Sequence, residues 1–182
     1  TGFTHHPRTI SALEDYVIRT SDKVICTSNN LVVRAKKLNP ESYFIENGVD
    51  FDTFDKGGND GVVPEDLAAV PAPRVLYVGA ISHWLDLEIL KKVATKLQDV
   101  SFVFVGPILD QSIKKELQGG GIRNFYYLGQ KNFTQLPSYI KNCNVGIIPF
   151  KRSDFTNEIS PLKMFEYLAC GRPVISAGIN QV

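Results

Sequence analysis

From Arg74 onward the chain alternates short apolar runs with longer amphipathic segments. The runs are residues 75–78, 102–105, 125–128, 145–148 and 174–175. Each is rich in Val, Ile, Phe or Tyr and lacks strict alternation, the pattern of strands buried on both faces of a parallel sheet. Residues 85–97 place Leu85, Ile89, Leu90, Val93 and Leu97 on one helical face and Lys91, Lys92 and Lys96 on the other. Residues 133–142 and 161–169 carry the later helices. Strand and helix alternating at this pitch predict an α/β fold with a Rossmann-like, doubly wound parallel sheet. Such a sheet binds its ligand beyond the carboxyl ends of the strands.

The first fifty residues run in the same style, with a helix at 10–19, a strand at 23–27, a helix at 29–38 and a strand at 43–45. Polar, Gly- and Pro-containing sequence over 56–73 then interrupts the pattern. We therefore read 1–50 as the end of a preceding domain, 51–73 as a linker, and 74–182 as the Rossmann-like domain, truncated at its C-terminus.

Composition narrows the chemistry. The 182 residues are 43% hydrophobic, enough to bury a core, and 20 Lys and Arg against 19 Asp and Glu give a net charge of +1. No run of like charge forms a nucleic-acid stripe, so an anionic ligand must be held by a few placed groups. Cys26, Cys143 and Cys170 are widely spaced among apolar neighbours and read as buried thiols, not metal ligands. No apolar run reaches the roughly 18 residues of a membrane span, which gives a cytoplasmic reading. The first residue is Thr, so this reading does not extend to a longer parent.

The clearest punctuation surrounds residues 158–177. Ser160 suits an N-cap, Pro161 the first helical position, Gly171 a helix stop, and Pro173 prevents resumption. The first turn carries Lys163 where the helix dipole favours Asp or Glu. A phosphate between the free N–H groups and the ammonium would satisfy both. Glu158 and Glu166 bracket the point, and carboxylates accept hydrogen bonds from paired hydroxyls such as those of ribose or hexose. The bland alternative is a Lys163–Glu166 salt bridge on a solvated face, with Ser160 only a cap.

Glu158 and Glu166, separated by seven residues and followed by Tyr-Leu-Ala-Cys-Gly-Arg-Pro-Val-Ile-Ser, resemble the E-x7-E signature of GT-B glycosyltransferases of the family 4 type. Ile45-Glu-Asn-Gly-Val-Asp-Phe-Asp-Thr-Phe resembles that family's interdomain passage, and Val75-Leu-Tyr-Val-Gly-Ala the opening of its C-terminal domain. Phe104-Val-Gly-Pro, Leu128-Gly-Gln and Val145-Gly-Ile-Ile-Pro-Phe follow in the family's order. The resemblance implies a transferase moving a sugar from a nucleoside diphosphate sugar to an acceptor hydroxyl, without a metal or tightly bound cofactor and with retention. Glu166 would hold the ribose, and Glu158, as the catalytic glutamate, would hold the donor sugar and steady charge at its anomeric carbon. Amides of Ile159, Ser160, Pro161 and Leu162 would face sugar and phosphates. The turn Gly79-Ala80-Ile81-Ser82 would lie near the diphosphate, and Gln130 and Lys131 would border the base.

The sequence departs from the family in that first turn, which lacks its usual Arg and Lys. Lys163 or Arg152 would supply the charge, in the style of bacterial surface-polysaccharide transferases. The acceptor, a glycan or lipid-linked sugar, and any membrane contact would come through the preceding domain, so the chain alone would bind donor with little or no turnover. A UDP-sugar 2-epimerase and a non-catalytic binding domain are the rival readings, while the lack of a G-x-G-x-x-G after any strand argues against a dinucleotide dehydrogenase. His83 and Trp84 lie at the expected cleft mouth and are read mainly as packing. His5 and His6 read as a solvated loop.

Overall fold

A computed structural model of the chain describes residues 8–58, 62–119 and 121–178, so His5 and His6 lie outside the described residues. The elements in order are α1 (Arg8–Thr20), β1 (Val24–Cys26), α2 (Asn29–Lys36), β2 (Ser42–Phe44), α3 (Phe51–Lys56), α4 (Glu65–Ala68) and β3 (Arg74–Val78). There follow α5 (Leu87–Lys96), β4 (Ser101–Val105), α6 (Gln111–Gln118), β5 (Phe125–Tyr127) and a 3-10 turn at Phe133–Gln135. The chain continues through α7 (Leu136–Lys141), β6 (Val145–Ile148), α8 (Asp154–Asn157), α9 (Leu162–Ala169) and β7 (Val174–Ser176). They fall into a smaller unit, residues 1–48, 152–161 and 178–182, and a larger one, residues 49–151 and 162–177.

In the larger unit five strands form one parallel sheet in the order β5-β4-β3-β6-β7. The chain begins at the centre, winds outward to β5, then crosses back to β6 on the other side of β3, which is the doubly wound arrangement with its switch point between β3 and β6. Every residue of β4 is buried, as expected of a strand with parallel neighbours on both sides. The outer strands are less covered, β5 being half-buried throughout and β7 exposing Ile175. Phe125 packs at 5.1 Å, edge-on, against Phe104, while Tyr127 donates from its hydroxyl to the Gly106 carbonyl at 2.9 Å.

Residues 51–73, read from sequence as a linker, carry α3 and α4 and belong to the larger unit. Phe54 and Leu67 are its anchors, both fully buried. Asp66 on α4 accepts from Lys131 at 2.6 Å and from the Tyr139 hydroxyl at 2.7 Å.

The smaller unit pairs β1 with β2 in parallel over a small core of Cys26, Val32 and Ala35, flanked by Ile18, Val24 and Leu31. Ser28 caps α2 by accepting from the Leu31 N–H, and buried Asn39 donates to the Ile18 and Ser21 carbonyls, closing the end of α1. Among the described residues no helix is long and apolar enough to cross a membrane.

Candidate functional site at the sheet switch point

The switch point is opened by unequal pairing. Strand β3 pairs with β4 along all of Arg74–Val78, but with β6 only at Val75 and Leu76. The Val78 N–H, past the end of the β6 register, donates instead to the Tyr167 hydroxyl at 2.8 Å. Tyr167 is fully buried, and its ring covers Gly146 so closely that a β-carbon there would lie 2.2 Å from it. One tyrosine thus fastens α9 across the gap where β3 and β6 part. The helix closes with a Schellman motif: Gly171, at φ +67°, donates to Leu168 and Arg172 donates to Tyr167, both at 2.9 Å.

The loops that follow these strands are pinned to one another. Gly79 takes φ +134° and donates to Val105, and Gly106 takes φ +140°, where a β-carbon would fall 2.1 Å from the Gly79 carbonyl oxygen. Both positions therefore require glycine. Across the switch, Asp86 donates to Pro149 and Lys151 to Trp84, each at 2.8 Å, and Leu85 bridges Phe150.

Lys163, in the first turn of α9, reaches into this corner. A β-carbon on Gly79 would lie 3.2 Å from Lys163 Cε and 3.6 Å from Nζ, and the ammonium sits 4.8 Å from the Phe150 ring centroid and 5.5 Å from that of Tyr77. Among the described residues no hydrogen bond or ion pair to Nζ is recorded, so the salt bridge to Glu166 that the bland reading requires does not form. Burial pulls the Lys163 pKa down to about 8, with Glu166 only partly opposing it. Burial likewise raises Glu166, against the lowering influence of Lys163. Two half-buried ionisable groups, each held away from its ordinary pKa without a direct partner, make this corner a candidate functional site.

Gly79, Lys163 and Glu166 come together at this corner of the larger unit, which also holds Ala80, Ile81, Ser82, Gln130 and Lys131. Ala80 accepts from the Tyr77 hydroxyl at 2.8 Å, Ile81 is fully buried, and buried Ser82 pairs with the His83 ring at 3.2 Å. His83 and Trp84 meet edge-to-face at 5.1 Å. Gln130 is exposed, whereas Lys131 is engaged by Asp66 and lies over the Tyr139 ring at 5.4 Å.

Arg152, Glu158, Ile159, Ser160 and Pro161 fall in the smaller unit. There Arg152 is exposed, Glu158 is the half-buried C-cap of α8, and the buried Ser160 accepts from Asn47 through its carbonyl at 2.8 Å. Helix α9 begins at Leu162, one residue after the Pro161 start expected from sequence. The row of amides expected from Ile159 to Leu162 is incomplete: Pro161 has no N–H, and that of Ile159 donates to Thr156 at 3.3 Å. Nothing in the sequence marks Tyr77 or Phe150 as neighbours of Lys163, since each reads as part of a buried run and only the fold brings them together.

A parallel sheet wound in this order is Rossmann-like, and the comparisons with known proteins assign it to one half of a GT-B fold. The chain belongs to the glycosyl transferases group 1 family, whose model matches residues 72–182. It is 28% identical over 180 residues to TuaH of Bacillus subtilis (strain 168), provisionally named a teichuronic acid biosynthesis glycosyltransferase, covering 94% of this chain and 44% of that protein. It is 24% identical over 170 residues to the uncharacterized glycosyltransferase MJ1178 of Methanocaldococcus jannaschii, covering 91% of this chain and 42% of that one. The chain thus spans less than half the length of these curated relatives.

Among solved structures, Anabaena Alr3699/HepE in complex with UDP and glucose superposes with a TM-score of 0.73 at 18% identity, over 97% of this chain and 50% of that one. The OtsA apo structure gives a TM-score of 0.68 at 14% identity, over 94% of this chain and 49% of that one. These likenesses show the fold.

Proposed function

We propose that the chain is the donor-binding part of a glycosyltransferase that moves a sugar from a nucleoside diphosphate sugar to an acceptor hydroxyl in cell-surface polysaccharide biosynthesis. The observation that carries this reading is the Lys163 ammonium, half-buried beside Gly79 at the switch point with its N–H groups unbonded among the described residues. A diphosphate supplies the missing acceptors, strengthens the hold on the proton that burial weakens, and lies where the first N–H groups of α9 and its dipole also favour an anion.

Glu166, one turn further along α9, is the acceptor for ribose hydroxyls in this reading. Its raised pKa is countered when two hydroxyls donate to it. Glu158 is assigned to the donor sugar on the E-x7-E signature alone, with retention of configuration following the same resemblance. HepE holds UDP with glucose, so uridine nucleotides are the first ligands to try. The TuaH similarity supports a surface polysaccharide as the product class. The acceptor, a glycan or lipid-linked sugar, and any peripheral membrane contact are assigned to the remainder of a full-length enzyme. Titration of UDP, GDP and ADP into the chain and into Lys163→Ala tests the reading.

A further inference from the structure

Lys163 is held in a manner that leaves it available. Its ammonium has no recorded hydrogen-bond acceptor among the described residues, yet two buried rings face it, Tyr77 at 0% and Phe150 at 3% exposure. Both lie within the roughly 6 Å over which a ring face attracts a cation. The rings come from opposite sides of the switch point. Tyr77 is the penultimate residue of β3, and its hydroxyl is spent on the Ala80 carbonyl, closing the turn at Gly79. Phe150 follows β6 by two residues and is fixed by its bridge to Leu85.

The choice of aromatic partners has a chemical consequence. A carboxylate in hydrogen-bonding range would neutralise the ammonium and occupy its N–H groups, so an incoming phosphate would have to displace it. A ring face attracts the charge through its quadrupole and accepts no strong hydrogen bond. The charged group acting on Lys163 among the described residues is Glu166 on its own helix, which makes no ion pair with it. Tyr77 remains a neutral phenol because burial pushes its pKa up, and Phe150 carries no charge.

We propose that Tyr77 and Phe150 are positioning residues that hold the Lys163 ammonium at the sheet switch point with its N–H groups free for phosphate oxygens. The cradle is a property of the ligand-free chain, while the phosphate role rests on the function proposed above. The rings supply no charge of their own; they hold in place the Lys163 cation, which the turn after Gly79 does not itself provide.

The test is NMR of the chain with carbon-13-labelled lysine, paired with UDP titration. The Lys163 ε-methylene protons resonate upfield of the other lysines because they lie over ring faces. Phe150→Leu, which keeps apolar volume but removes the ring, reduces that shift, moves the Lys163 titration to lower pH and weakens UDP binding by roughly threefold. Phe150→Tyr, which restores a ring, preserves all three. An unshifted Lys163 signal in the parent overturns the proposal, as does a Leu variant with unchanged shift and titration. Should the Leu variant not fold, the parent shift decides. A ring-dependent shift without nucleotide binding upholds the cradle and refutes the donor reading.

Discussion

Gly79 and Lys163 share one small volume: a β-carbon on the glycine would sit 3.2 Å from Lys163 Cε, and the glycine's φ of +134° is one that other residues rarely adopt. Gly79→Ala therefore strains the backbone and displaces the lysine together. The expected outcome is a stability loss of about 1–3 kcal/mol in chemical denaturation and a clear fall in nucleotide affinity. Wild-type affinity in this variant would mean that the ligand does not approach the turn.

The ligand-free chain holds Lys163 at a cost to stability. Its pKa in the folded state, about 8, lies below the ordinary value of 10.5, so the unfolded chain binds the extra proton between those values. Stability consequently rises with pH through the window from about 8 to 10.5, and the penalty is fully present below it. Lys163→Met is expected to stabilise the ligand-free chain by about 1–3 kcal/mol at pH 7, with the gain shrinking as the pH approaches 10.5. Thermal melts across that range check the sign.

Tyr167 is expected to be the mechanical link between α9 and the sheet. Tyr167→Phe strands the buried Val78 N–H and should cost about 1–3 kcal/mol. Gly146→Ala overlaps the ring outright and should cost at least as much through overpacking. Unfolding in denaturant measures both, and a neutral Gly146→Ala would refute the close seating of the ring.

Lys131 is tied by Asp66, and the pair predicts a structural coupling. Burial pushes the Asp66 carboxyl up, but hydrogen bonds from Lys131 and Tyr139 outweigh it, leaving the carboxyl below its ordinary value. That stabilisation is present above the unfolded pKa of 3.8 and is lost as the pH falls through the folded value. A double-mutant cycle of Lys131→Met and Asp66→Asn should show a coupling of about 0.5–1 kcal/mol.

Much of the larger unit was legible because its strands are short apolar runs separated by turn residues, and all five fall within a residue or two of their expected positions. The stop of α9 was equally plain, since Gly171 suits the left-handed position that closes a helix and Pro173 cannot continue one. Helix α6 was obscure, because only Ile113 and Leu117 in it are buried and its Asp110 cap reads as an ordinary loop residue. Helices α3 and α4 were hidden by the Gly- and Pro-containing sequence around them, although Phe54 and Leu67 anchor them. The charge mismatch at Lys163 was visible as a local rule broken. Its aromatic surroundings were not, because Tyr77 and Phe150 lie 86 and 13 residues away in sequence.

Calorimetric titration of UDP, GDP and ADP into the chain, Lys163→Ala and Glu166→Ala tests the central claim most directly. At least one nucleotide should bind, and each substitution should weaken it by about 1.5–3 kcal/mol, or roughly one to two decades in affinity. Binding of no nucleotide, or equal binding by the parent and both variants, would contradict the assignment of this corner as the donor site.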